Sequence, residues 1–262
     1  MENMEKQFDK KQIKVEKIPE ELEKDTKTIK FINSLNRFIE KEFKELEIEQ
    51  EPKEIKPEQV HLLPEKIYKT EFPNESRAVY LPFKKSIFIN PKAFNNVSEF
   101  YASIIHEFIH LESFFEDKNT TLRSGYRFLK KENNKTQTQF RGLNEMIIDK
   151  FAKEIFEKNK KDLKKININS ETKKLSSEKY SPLILNKIIE KIAQKKDQKQ
   201  EKVWKRFKKS LFTGKMMHLR DVERVFGKNS LRLLSKFYSK NKEKGERQDE
   251  YFNVLNYFRF NK

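Results

Sequence analysis

The chain of 262 residues contains no cysteine, so disulfides, thiolate metal sites and thiol nucleophiles are all excluded. Any metal it binds must take nitrogen and oxygen ligands. Histidine is also scarce: His61, His106, His110 and His218 are the full set. No stretch approaches the roughly 20 apolar residues of a membrane span. Residues 1–17 alternate Lys with Glu and Asp, where a signal peptide would need an apolar segment. Those two absences lead us to expect a cytoplasmic chain with no membrane span. Apolar residues make up 35% and charged residues 38%, a lean supply for a core. The 23 Phe offset that shortage, and the length suffices for one large domain or two modest ones. There is no internal repeat.

Arginine is thin as well. The net charge is +17, yet 11 of the 58 basic residues are Arg. Much of the excess is local, because residues 158–215 carry 19 Lys and Arg against 6 Asp and Glu. A basic surface can attract nucleic acid. Lysine, however, lacks the bidentate fork that arginine offers to bases and phosphates. Abundant Lys, Asn and Ile is also the residue profile of an AT-rich genome, and codon usage is the favoured explanation of the charge.

Residues 1–17 read as a charged lead-in. From Pro19 to about Glu49 a helix is expected, with Leu22, Ile29, Phe31, Ile32, Leu35, Phe38, Ile39 and Phe43 at helical spacing. Ala78–Leu81 and Ser86–Ile89 are rich in branched and aromatic residues and read as a hairpin or two adjacent strands. A helix follows near Ser98, whose side chain is the expected cap, with Phe100, Tyr101, Ile104, Ile105, Phe108, Ile109 and Leu111 covering more than one face. Residues 118–141 suit a loop with a hairpin around Asn133 and Asn134. Another helix spans about Leu143 to Glu157. Residues 158–180 suggest a linker or loop, and helices follow at about 182–195, 199–212 and 219–239, the last broken at Gly227. The aromatic stretch from Tyr251 to Phe260 must pack on something.

The residues that carry chemistry lie on the apolar helix. His106-Glu107-Phe108-Ile109-His110 is H-E-x-x-H. Residues four apart share a helix face, so two imidazoles can reach one metal, with the intervening Glu beside the first ligand. A catalytic zinc usually has three protein ligands and an open position. Positions 113 and 116 are Ser113 and Glu116, so no third His follows at the metzincin spacing. Gly142-Leu143-Asn144-Glu145-Met146-Ile147-Ile148-Asp149 offers instead two carboxylates four apart on a second helix. The plainer alternative makes His106 and His110 core histidines and pairs Glu145 and Asp149 with Lys150 and Lys153. It must then explain ionisable groups buried on an apolar helix without a partner, which is costly.

The two motifs together, over roughly residues 98–157, resemble the H-E-x-x-H…N-E-x-x-x-D pattern of thermolysin-like gluzincins, within the zincin metallopeptidases. The resemblance implies one Zn2+ per chain on His106, His110 and Glu145. It makes Asp149 the acceptor for the far N–H of a ligand His, and Glu107 the general base for a metal-activated water in peptide hydrolysis. Gluzincins often supply a Tyr or His to the developing oxyanion. Tyr126 and His218 are the candidates here, although an ordinary packed Tyr and a surface His are the plainer readings. By analogy with zincins, Ile87-Phe88-Ile89 would be the edge strand that lines the cleft. His61 reads as structural and Glu112 as solvated.

The expected fold is α+β and zincin-like: a small sheet and hairpins packed on the active-site helices, with a mainly helical C-terminal half. The expected organisation is a lead-in at 1–17, a catalytic region at 18–157, a basic linker at 158–180 and a helical region at 181–262. The expected function is a zinc metallopeptidase acting on a polypeptide. The alternative is a non-proteolytic zinc-site protein, regulatory or binding nucleic acid through residues 158–215.

Overall fold

The computed structural model describes residues 21–72, 77–116, 122–132, 135–166, 168, 183–237 and 244–260. The expected lead-in at 1–17 lies outside these residues. The fold is α+β and mostly helical, with two small sheets.

Helix α1 (Thr26–Glu45) begins at Thr26 because the Asp25 side chain accepts a hydrogen bond from the Thr28 N–H at 2.7 Å. That cap sets the start seven residues later than the periodicity alone suggests. Its apolar stripe, Phe31, Ile32, Leu35, Phe38, Ile39 and Phe43, is fully or nearly fully buried. Strand β1 (Val60–Leu62) and the short helix α2 (Glu65–Glu71) follow, then β2 (Ala78–Leu81) and β3 (Ser86–Ile89). The three strands form one sheet in the order β1-β3-β2, parallel between β1 and β3 and antiparallel between β3 and β2. The expected pairing of 78–81 with 86–89 is thus present. The expected edge is not: β3 is the central strand and β2 is the edge, because the parallel crossover from β1 covers the other side of β3.

Helix α3 (Val97–Glu112) carries the H-E-x-x-H motif. It is capped by Asn96, whose side chain accepts from the Glu99 N–H at 2.8 Å. Ser98 lies inside the first turn and is buried. Ile104, Ile105, Phe108 and Ile109 are fully enclosed, and each such side chain is worth ~1.5–3 kcal/mol relative to exposure. A second sheet follows, β4 (Phe114–Glu116), β5 (Leu122–Ser124), β6 (Arg127–Glu132) and β7 (Lys135–Gln139), antiparallel throughout in that order. The expected hairpin is β6–β7. Asn133 and Asn134, between the two strands in sequence, lie outside the described residues.

Helix α4 (Arg141–Lys158) supplies the second motif and packs against α3. The expected linker at 158–180 is corrected in part, since Lys160–Lys165 forms a short helix, α5, that buries Leu163. Residues 167 and 169–180 lie outside the described residues. Helices α6 (Leu183–Lys195), α7 (Gln200–Thr213), α8 (Leu219–Phe226), α9 (Asn229–Lys236) and α10 (Lys244–Phe260) complete the chain. The break between α8 and α9 falls at Gly227, whose φ of 87° is a conformation open to glycine and strained for most other residues. One continuous apolar cluster runs from Phe31 to Phe258, so the C-terminal helices share the core of the motif helices. Val254 and Phe258 of α10 belong to it. Among the described residues no helix is long and apolar enough to cross a membrane.

Candidate metal centre

Helices α3 and α4 lie side by side and bring the two motifs together. His106 Nε2 and His110 Nε2 are 3.1 Å apart. Glu145 Oε2 is 3.3 Å from the first and 3.4 Å from the second. Three donor atoms from two helices thus converge on one point, in a group that can hold a metal ion. A tetrahedral zinc site with bonds of about 2.0–2.1 Å has ligand atoms roughly 3.3–3.4 Å apart, so the observed triangle has the size of one face of such a site.

The surrounding contacts fix the ligand atoms. His106 Nδ1 lies 2.8 Å from Asp149 Oδ1. An imidazole that donates Nδ1–H to that carboxylate presents a bare lone pair at Nε2, the ligating form. His110 Nδ1 is 3.3 Å from Ser124 Oγ on β5. In that tautomer the His106 lone pair faces Glu145 and His110, an arrangement that a cation or a shared proton between them relieves. The charge balance leans the same way. Burial pushes the His106 imidazole down, but Asp149 and Glu145 outweigh it and hold the group well above its ordinary value. Burial pushes the Glu145 carboxyl up, yet the two imidazoles, His110 foremost, pull it well below the usual carboxylate range. The cluster therefore attracts positive charge, and its all-nitrogen-and-oxygen donor set suits zinc among other divalent ions.

The group is mostly enclosed but reaches the surface, with side-chain exposures of 17% for His106 and 12% for His110 and Glu145. Glu107 is 8% exposed. Its Oε2 accepts a hydrogen bond of 2.8 Å from the backbone N–H of Tyr80 on strand β2. The Tyr80 ring meets Phe114 of β4 edge-on, with centroids 6.4 Å apart.

Other sequence-predicted residues fall elsewhere. Tyr126 is fully buried, and its hydroxyl lies 2.7 Å from His218 Nε2 and 3.0 Å from the Phe207 carbonyl. His218 Nδ1 is 3.0 Å from Ser210 Oγ. Burial, aided by Arg206, pushes His218 down to about 4. These contacts tie Tyr126, which is fully buried, and His218, which is half-buried, to the C-terminal helices. Both ring nitrogens of His218 are in contact with other side chains. Glu112 is fully buried rather than solvated. It accepts the Lys53 N–H at 3.0 Å, and burial raises its carboxyl to about 7. His61 is structural as expected, paired with Glu21 at 3.0 Å and stacked on Phe88.

Two participants escaped the sequence reading. Ser124 stands in a hairpin where serine is commonplace, and the Tyr80 contact is made by backbone, which any residue carries. Neither leaves a signature in sequence.

Part of the basic stretch is paired with acids of the same chain. Lys158 pairs with Glu42 and Glu45 at 2.7 and 2.9 Å, Lys208 with Glu154 at 2.6 Å, Lys196 with Asp221 at 2.7 Å and Lys205 with Glu47 at 2.7 Å. Compared with protein-family models, curated proteins and solved structures, the chain matches none at a significant level.

Proposed function

We propose that this chain is a zinc-dependent metallopeptidase, with zinc held by His106, His110 and Glu145 and Glu107 acting as general base. The observation that carries the reading is the triangle of 3.1, 3.3 and 3.4 Å between three donor atoms, with the H-E-x-x-H glutamate beside it. A site built only for structure closes its fourth position with a protein ligand. Among the described residues the cluster has three members, which supports a position left open for water or substrate.

When bound, the metal supplies a Lewis acid that brings the pKa of a water towards about 7 and polarises a carbonyl. The chain's own residues do the rest. Asp149 holds the His106 ring in the orientation and tautomer that ligation needs. Ser124, with its Oγ 3.3 Å from His110 Nδ1, supports the orientation of that ring. Glu107 takes a proton from the attacking water and delivers it to the leaving amine. A polypeptide is the proposed substrate. Lysines of the 158–215 stretch that are already paired, such as Lys158, Lys196, Lys205 and Lys208, contribute less to phosphate binding than free ones, which favours the peptidase over the nucleic-acid reading.

The test is hydrolysis of an unfolded polypeptide by zinc-loaded protein, with Glu107→Gln beside it. Removing a general base costs typically 10²–10⁴-fold, so the variant should lose turnover by about that factor while keeping its metal. Equal turnover in the two proteins contradicts the mechanism.

A further inference from the structure

The Tyr80–Glu107 contact joins the glutamate of the motif to β2, an edge strand of the first sheet. Strand β2 pairs with β3 in the register Ala78↔Ile89, Val79↔Phe88, Tyr80↔Ile87 and Leu81↔Ser86. The Asn90 N–H donates to the Arg77 carbonyl at 3.0 Å, which fixes the phase of the ladder. Antiparallel pairs alternate between bonded and non-bonded, so Val79 and Leu81 belong to bonded pairs, while Ala78 and Tyr80 turn their N–H and C=O groups to the open edge. An edge N–H ordinarily finds water. At Tyr80 it finds Glu107 Oε2 at 2.8 Å. This is a hydrogen bond to a carboxylate, of the stronger kind, from a rigid strand to a side chain on a separate element.

We infer that the backbone N–H of Tyr80 is a positioning group for Glu107. It pins one carboxylate oxygen to the edge of the sheet and thereby fixes the direction in which the other oxygen meets a proton. The inference rests on the proposed role of Glu107 as base. A glutamate side chain has three rotatable bonds, and a base held by its helix alone would sample several of their rotamers. Proton transfer demands hydrogen-bond reach of about 2.6–3.2 Å, and displacement of about 1 Å can cost on the order of 10²-fold in rate. The strand supplies an anchor from outside the helix. The donor is main chain, so the identity of residue 80 matters through whether it has an N–H, and only secondarily through its ring.

That distinction makes the test direct. Proline is tolerated on an edge strand where its missing N–H faces outward. Tyr80→Pro therefore removes the one hydrogen bond and leaves the ladder bonds of Val79 and Leu81 intact. Tyr80→Ala, which loses the same ring and keeps the N–H, is the reference. With both variants zinc-loaded and hydrolysing the same peptide, Tyr80→Pro should show kcat at least ten-fold below that of Tyr80→Ala, with KM and metal content equal in the two. A second measurement is independent of turnover: amide hydrogen exchange at Tyr80 should be slow in the parent and fast in Glu107→Ala, with Val79 and Leu81 slow in both. Equal kcat in Tyr80→Pro and Tyr80→Ala, alongside an active parent that Glu107→Gln inactivates, overturns the positioning role and leaves the peptidase reading standing. Rapid exchange at Tyr80 in the parent overturns the hydrogen bond itself. An inactive zinc-loaded parent overturns the peptidase reading, and the positioning role with it, even where the exchange data show the bond.

Discussion

At the scale of single residues, the candidate site is an arrangement of groups that each answer for a neighbour. Asp149 is the clearest case. Its carboxylate lies 2.8 Å from His106 Nδ1, and partners of this kind typically contribute 10–100-fold to metal affinity. Asp149→Asn should weaken zinc binding by about that factor, measured by competition with a chromophoric chelator, without loss of fold. An affinity equal to that of the parent contradicts the assigned role. The residues that sequence made legible were those whose partners lie on the same helix or whose spacing has chemical meaning: His106, His110, Glu145 and Asp149. Glu112 was misread for a physical reason. Its angle on the helix is calculable, but the segment that covers that face is not, and Lys53, 59 positions away, closes over it.

At the scale of elements, the strengths of α3 and of the turn before β6 decide whether the ligands meet. Asn96 satisfies the Glu99 N–H at the start of α3. Asn96→Ala should cost about 1 kcal/mol, and Ser98→Ala less, in urea denaturation; the reverse order would return the cap to Ser98. Asn96 and Ser98 are both good capping types, so local sequence alone does not choose between them. Gly125 has φ +58°, and a Cβ there would meet Asn144 Oδ1 and Leu211 Cδ1 at 2.4 Å each. Gly125→Ala should destabilise the fold by about 1–3 kcal/mol and weaken metal binding as well, because Ser124 and Asn144 flank the site. Undiminished stability in that variant contradicts the turn's assigned strain. Elements with strong period were legible almost to their ends, α6 and α7 among them. The order β1-β3-β2 was not, since which strand becomes an edge depends on a crossover that leaves no local pattern.

At the scale of the whole molecule, the C-terminal helices are part of the same core that supports the candidate metal-binding cluster. Tyr126, between β5 and β6, reaches His218 92 positions away, and no sequence pattern announces such a contact. The contact also sets a pH dependence. Burial, then the Arg206 charge, lowers His218 to about 4 from an ordinary value of ~6.5. The unfolded chain then binds this proton at higher pH than the folded one. The contribution is complete above about pH 6.5 and is lost as pH falls towards about 4. His218→Gln should reduce the difference in unfolding free energy between pH 7.5 and 4.5 relative to the parent; an unchanged difference contradicts the buried neutral imidazole.

The central claim is that His106 and His110 of one helix and Glu145 of another hold a single metal ion. Elemental analysis of the purified protein, beside His110→Ala and Glu145→Ala, tests it most directly. About one zinc per chain is expected in the parent, the stoichiometry of a three-ligand site, with loss of the metal in both variants. A parent that holds no metal after zinc is offered and the excess removed contradicts the claim and makes the cluster a set of buried polar groups sharing a proton.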